Sequence, residues 1–311
     1  MRLPPTKDVA NARVGDIVVD SVCKNCFQEA SSLNKAATVD IIGPGKGDAP
    51  CVVLVHGGGS CRTLYATLAR RLADAGFRCV LPDLPGHGCR MDEPMSTQNC
   101  LSVLKATIDE HCAPYRGVNP IYLGGSFGGY LGMELIGAYP ECVSAAVIVA
   151  ASQTVGVGAS LKARAALQAM RLVGDLMWQK TMINGLVSKL KQIPDVNHAA
   201  VVESLMGQMY FRQMNQFVGA LRATNSLEAV KRFHGPIFYA VGLKDHRDME
   251  ERQIAISKAN HPSSQLVHYD GDHFFSHDLR VQEQFESAVV AFCQAVTSST
   301  TAVGTEPSPS T

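Results

Sequence analysis

The sequence predicts an α/β fold, a mostly parallel central sheet with helices on both faces, and three observations predict it. Short apolar runs alternate with stretches of helical periodicity along most of the 311 residues. The runs are apolar throughout rather than at every second residue, as strands buried on both faces require. One of them, Pro120-Ile121-Tyr122-Leu123, passes directly into Gly124-Gly125-Ser126-Phe127-Gly128 and then into a helical pattern with Leu131, Leu135 and Ile136 on one face. A serine therefore stands at a strand-to-helix junction, between glycines that leave room for a sharp turn.

Residues 1–35 form an N-terminal segment in which Val14, Ile17 and Val19 alternate partly, as an edge strand does. Ala37-Thr38-Val39-Asp40-Ile41-Ile42 is a better strand, and Gly43 to Asp48 is a turn. Its Gly45-Lys46 is no phosphate loop, because neither Ser nor Thr follows the lysine. Strand 51–55 leads to a helix over 62–75, with Leu64, Leu68 and Leu72 one turn apart. Strand 78–81, a loop over 82–98 and a helix over 99–112 follow. Strand 120–124 gives way to the helix after Ser126, and strand 145–150 is small and apolar throughout. Two more strands, 236–241 and 265–269, precede a last helix over 279–296, where Val281, Phe285, Val289, Phe292 and Val296 form one stripe. Residues 36–151 and 233–296 thus make up the α/β core. The Ser/Thr/Pro-rich stretch 297–311 is expected to be a disordered tail.

Residues 152–232 break the alternation. Helical patterns recur there without a convincing strand, with Leu167, Met170 and Val173 on one face and Val202, Leu205, Met206, Met209, Phe217 and Leu221 on another. Six of the eleven methionines and the single Trp178 fall in this stretch. Such side chains fill helix–helix cores, and they also line adaptable apolar pockets.

Composition narrows the partners. Lys+Arg and Asp+Glu both number 28, and no block of like charge occurs. Nucleic acid and anionic membranes are therefore not expected as main partners. No run approaches the roughly 18 apolar residues of a membrane span. Met1 to Lys7 contains two prolines and no apolar run, so no signal peptide is expected. Ten cysteines without framework spacing suit a reducing, cytoplasmic setting. A lone Cys23-Lys24-Asn25-Cys26 is a poor half of a zinc site. The His and Asp residues between His261 and Asp278 lie on and around a strand that would alternate their directions, so they share no helical face. No metal and no cofactor are expected. A dinucleotide fingerprint at 124–129 is excluded too, because it needs glycine where Ser126 stands.

The motifs point to nucleophilic catalysis. His56-Gly57-Gly58-Gly59 follows strand 51–55, and exposed backbone N–H groups of such a loop can face an oxyanion without a side chain in the way. Gly242-Leu243-Lys244-Asp245 puts an acid at the end of another strand, and Gly271-Asp272-His273 closes the last. With Asp83-Leu84-Pro85-Gly86-His87-Gly88, these stretches make the chain resemble α/β-hydrolase fold serine hydrolases over roughly residues 36–296. It is most similar to their capped esterase, monoacylglycerol-lipase and haloperoxidase-like branch. The order oxyanion loop, Ser, Asp, His is the order of that family. The resemblance implies a triad of Ser126, Asp245 and His273, oxyanion donors at the N–H groups of Gly58 and Phe127, and a helical cap over residues 152–232. Gly59, Met206 and Met209 are candidates for substrate contact.

Chemistry alone leaves rivals. A serine hydroxyl needs a base, and the base needs an orienting acid on its far nitrogen. His268 and His277 are the other histidines near the last strand, and Asp248 is a second acid on the Asp245 loop. His56, His87 and Asp83 are expected to shape loops rather than move protons. The expected function is hydrolysis of an ester or thioester through an acyl-serine intermediate, on a small molecule with an apolar acyl group. An aminopeptidase or amidase, using Glu203, Glu228, Asp175 or Asp195 to hold an ammonium, is the alternative within the fold. A ligand-binding, receptor-like protein with little turnover is the alternative outside catalysis. Oligomeric state is not legible.

Overall fold

The computed structural model describes residues 37–151, 156–157, 159–173, 214–245, 254–257, 261–273, 275 and 278–299. The edge strand expected in residues 1–35 lies outside these. Seven strands form one sheet: β1 (Val39–Ile42), β2 (Cys51–Val55), β3 (Arg78–Pro82), β4 (Ile121–Gly125), β5 (Ala145–Val149), β6 (Ile237–Gly242) and β7 (Gln265–Tyr269). Their spatial order is β1-β3-β2-β4-β5-β6-β7. Only β1 runs antiparallel to its neighbour, with Asp40 opposite Leu81. All other pairings are parallel. β2 to β6 are buried at every position, whereas β1 and β7 at the edges are half-buried. That is the pattern of a sheet covered on both faces.

The covering helices divide into two layers. On one face lie α1 (Ala66–Asp74) and the last helix, which with the sheet enclose a core of Leu68, Leu72, Leu123, Phe238, Phe285 and Val289. On the other lie α2 (Thr97–His111) and α3 (Phe127–Ala138), around Tyr122, Leu104, Leu131, Leu135 and Tyr239. The Ser96 hydroxyl caps α2 by accepting the Asn99 N–H at 3.1 Å.

α3 has an unusual composition for a helix. It holds Gly128, Gly129, Gly132 and Gly137, each of which costs about 1 kcal/mol against alanine in a helix. Close packing is the reason. A methyl group on Gly128 would lie 2.5 Å from the His56 carbonyl oxygen and 2.6 Å from that of Val55. One on Gly132 would enter the ring of Tyr122. The Tyr122 hydroxyl in turn donates to the Gly128 carbonyl at 2.6 Å, tying β4 to the first turn of α3.

Between β5 and β6 the described elements are all helical: α4 (Leu161–Val173), α5 (Met214–Arg222) and α6 (Ser226–Val230). α6 packs on α3, where Glu134 accepts from the Asn225 N–H and the Ser226 hydroxyl. Met206, Met209 and Trp178 lie outside the described residues. The last helix, α7 (Leu279–Ser299), runs three residues into the stretch expected to be a tail. The Thr297 hydroxyl extends it by donating to the carbonyls of Cys293 and Gln294, both at 3.0 Å.

A second boundary also differs from expectation. The helix expected over 62–75 begins as a 3-10 turn, Arg62–Tyr65, and becomes α-helical only at Ala66. Arg62 is held elsewhere: its backbone N–H donates to Asp83 Oδ1 at 2.8 Å and its guanidinium pairs with Asp83 and Asp40. No helix among the described residues is long and apolar enough to cross a membrane.

Candidate active site

All the motif residues converge on the carboxyl edge of the sheet, because each follows the end of a parallel strand. His56 directly follows β2, Asp83 directly follows β3, and Ser126 directly follows β4. Asp245 and His273 lie three and four residues beyond the ends of β6 and β7, which pair with Gly242 opposite Tyr269. The two loops are stitched together by Leu243 N–H to the Tyr269 carbonyl at 2.9 Å and Lys244 N–H to the Gly271 carbonyl at 2.8 Å. A side chain at Gly242 would strike the carbonyls of Gly271 and Asp272, so only glycine permits this approach.

The stitched loops bring three side chains into line. His273 Nδ1 lies 3.0 Å from Asp245 Oδ2, and His273 Nε2 lies 3.1 Å from Ser126 Oγ. The Asp245 side chain is 5% exposed and that of His273 is 28% exposed, so the acid is shielded while the imidazole edge is open. With Asp245 ionised, Nδ1 carries the proton and Nε2 presents a lone pair to the serine hydroxyl. Asp248 and His277 lie outside the described residues. His268 stays inside β7.

Ser126 itself has φ 51° and ψ −115°, a conformation that non-glycine residues rarely adopt. Its N–H donates to the Val149 carbonyl at 2.8 Å and its carbonyl accepts the Tyr130 N–H at 3.0 Å, which hold the turn in place. α3 starts at Phe127, so the Phe127 N–H belongs to the first helical turn, where amides have no intrahelical acceptor and the dipole favours negative charge.

The glycine loop after β2 lies against this turn. A methyl group on Gly57 would sit 3.4 Å from Ser126 Cβ. The loop's shape is set by two buried histidines, as the sequence led us to expect. His56 bridges Gly57 and Leu84: Nδ1 donates to the Gly57 carbonyl at 2.8 Å and Nε2 accepts the Leu84 N–H at 3.1 Å. His87 does the same between Pro85 and Gly59, with Nδ1 to the Pro85 carbonyl at 3.0 Å and Nε2 accepting the Gly59 N–H at 3.0 Å. The Gly59 amide is therefore occupied by His87. Burial pushes the pKa of His56 down to about 4, and burial with the neighbouring His56 pushes that of His87 down to about 3. Both imidazoles are neutral at neutral pH, as acceptors of backbone N–H bonds must be.

Behind the loop, Asp83 is fully buried and accepts the Arg62 N–H, the Arg62 guanidinium and the Cys89 N–H, the last at 2.8 Å. Sequence reasoning assigned Asp83 to loop shaping but missed Arg62, which has the spacing of an ordinary helix residue. It also missed Phe217, read only as part of a helical stripe. The Phe217 ring fills the space where a side chain on Gly58 would be, and it packs edge-on against Phe127 with centroids 5.1 Å apart.

Comparison with known proteins agrees with this architecture. A model of the Alpha/beta hydrolase family matches residues 52–287. The chain is 30% identical over 98 residues to an AB hydrolase superfamily protein of Gibberella zeae, covering 31% of this chain and 34% of that one. It is 46% identical over 41 residues to Esterase YjfP of Escherichia coli, covering 13% of this chain and 16% of that one. Its matches thus span about a third or less of these curated relatives. Among solved structures, an esterase from Exiguobacterium antarcticum superimposes with a TM-score of 0.67 at 18% identity, covering 82% of this chain and 94% of the other. At that identity the likeness concerns the fold.

Proposed function

This chain belongs to the alpha/beta hydrolase family, and we propose that it is a serine hydrolase that cleaves an ester or thioester through an acyl-serine intermediate. The observation that carries this is the hydrogen-bonded chain Asp245 Oδ2, His273 Nδ1, His273 Nε2, Ser126 Oγ, with links of 3.0 Å and 3.1 Å. A purely ligand-binding site has no need of a base on one side of a strained serine and a shielded acid on the other.

In this reaction Ser126 Oγ attacks the carbonyl carbon while its proton passes to His273 Nε2. Asp245 stabilises the imidazolium that forms. The tetrahedral oxyanion is held by the N–H groups of Gly58 and Phe127, the second aided by the α3 N-terminus. His273 then gives its proton to the departing alcohol or thiol, leaving acyl-Ser126. Water, deprotonated by the same imidazole, attacks the acyl carbon, and the proton returned to Ser126 Oγ restores the enzyme.

Residues 152–232 are assigned to a cap over the site, with α5 as the part that touches the glycine loop. The contact of Phe217 with Gly58 and Phe127 supports this. An apolar acyl group suits an aromatic neighbour there. Glu228, on α6 packed against α3, is paired with Lys231 at 2.7 Å on the surface, which favours the ester reading over an aminopeptidase for that carboxylate. Ten cysteines without framework spacing suit a reducing, cytoplasmic setting.

The test combines a fluorophosphonate probe with a panel of p-nitrophenyl esters of increasing chain length and aminoacyl-anilides. Covalent labelling at Ser126 with turnover of esters is expected. Labelling without turnover of any ester would replace the esterase assignment, and absence of labelling would remove the acyl-serine mechanism.

A further inference from the structure

We propose, resting on the esterase assignment above, that Phe217 determines acyl specificity: its ring walls the acyl site beside the oxyanion loop and excludes acyl groups branched next to the carbonyl. Gly58 and Phe127 are the residues whose N–H groups would hold the oxyanion. Phe217 touches both, filling the side-chain space of Gly58 and meeting the Phe127 ring at 5.1 Å and 63°. A carbonyl oxygen seated between those two amides lies only about 1.2 Å from the carbonyl carbon. The first acyl carbon and the ester oxygen are each one bond further; we place the acyl carbon on the side of the ring, where bulk at that carbon meets the ring before bulk further along the chain does.

The helix that carries the ring is also held in place. On one side of Phe217, Gln216 Oε1 accepts the Met95 N–H at 2.6 Å. On the other, the Ala220 carbonyl accepts from the Thr97 hydroxyl at 2.7 Å. Val218, Ala220 and Leu221 are buried in the core, while Phe217 is only half-buried. α5 is thus anchored to the segment before and at the start of α2, and the aromatic side chain, with two torsions, presents a stiff wall rather than an adaptable one. Gly58 and Phe217 depend on one another: any side chain at 58 would displace the ring.

The experiment uses the full chain and three esters. The ratio of kcat/KM for p-nitrophenyl 2-methylpropanoate to that for p-nitrophenyl acetate reports crowding at the acyl carbon. The ratio for 2-naphthyl acetate to p-nitrophenyl acetate reports crowding on the alcohol side. Each ratio is internal to one variant and does not depend on the active fraction. In Phe217→Ala and Phe217→Leu the acyl ratio is expected to rise about ten-fold or more, the scale at which a pocket discriminates a methyl group. In Phe217→Trp it is expected to fall, and the alcohol ratio is expected to stay within about two-fold throughout. An unmoved acyl ratio, or a shift confined to the alcohol ratio, overturns the role of Phe217 while labelled, active wild type keeps the esterase assignment. Wild type that neither labels with fluorophosphonate nor hydrolyses acetate overturns both. Should Phe217→Ala lack a cooperative thermal transition, the leucine and tryptophan variants decide by the opposite signs of their shifts.

Discussion

Ser126 is held at φ 51° by the bonds of its own backbone and by glycines that let the chain cross itself. Such a conformation costs of order 1–3 kcal/mol and persists only where the surroundings enforce it. Removing the hydroxyl leaves those surroundings intact. Ser126→Ala is therefore expected to keep its fold, lose fluorophosphonate labelling, and lower kcat by about 10⁴-fold or more, leaving only what the oxyanion site and binding supply. Retention of a tenth of wild-type rate would exclude Ser126 as nucleophile. For the acid, Asp245→Asn turns an acceptor towards His273 Nδ1 into a group that can donate, which favours the wrong tautomer. A fall in kcat of about 10³–10⁴-fold is expected. Asp270→Asn, which removes only an exposed ion pair with Lys244, is expected to stay within a few-fold of wild type. Steady-state kinetics of the two variants side by side check the assignment, and equal losses would contradict it.

At the scale of the elements, the site depends on two loops that hold one another through buried polar groups. Asp83 joins the loop after β3 to the 3-10 turn at Arg62, and both partners are buried. Asp83→Ala leaves the Arg62 guanidinium with the more exposed Asp40 as its remaining ion-pair partner among the described residues, beside the weak acceptor Cys89 Sγ. A loss of about 3–5 kcal/mol in urea-unfolding free energy is expected, since removing one partner strands a buried charge. His56 and His87 couple the same loops to pH. Their folded pKa values, about 4 and about 3, lie below the ordinary histidine value of 6.5, so between these limits the unfolded chain binds more protons than the folded one. Their contribution to stability is thus fully present above pH 6.5 and is lost as the pH falls towards 4 and then 3. The urea midpoint is expected to fall between about pH 7 and about pH 4.5, and to fall less steeply in His87→Gln, because that variant has one fewer depressed imidazole. Identical pH slopes in the two proteins would show that His87 does not contribute.

Across the whole molecule, the active-site geometry is a consequence of how closely two layers approach. α3 lies so near β2 that its first turn crowds the carbonyls of Val55 and His56, and the turn at Ser126 lies beside Gly57. Gly128→Ala would push the helix off the strand. A destabilisation of about 1–3 kcal/mol is expected from overpacking, read as a lower Tm. A loss of kcat larger than the folded fraction explains should accompany it. A variant with unchanged Tm and unchanged kcat would mean that the layers can separate without disturbing the site.

Strand positions were legible in the sequence because a strand buried on both faces must be apolar at every residue, and β2, β4, β5 and β6 are. The turn at Ser126 was legible for a related reason: close backbone crossings leave glycines behind, and Gly124 and Gly128 are the record of one. The chain order of Ser126, Asp245 and His273 followed from motifs at strand ends. The distances between their side chains did not, because they depend on β4, β6 and β7 lying in one sheet and on the stitching of Lys244 to Gly271. Arg62 was hidden for the opposite reason. A charged residue in a helix-like stretch looks exposed until a strand 21 residues later delivers the buried carboxylate that it meets. Phe217 was hidden as well, since a stripe of apolar residues has the same periodicity whether it faces a core or a glycine loop. Local propensity and backbone crowding are written in consecutive residues and so were determined by the sequence itself. Which distant groups share a dielectric, a hydrogen bond or a van der Waals surface was decided only when the sheet closed its order and the helices settled on it.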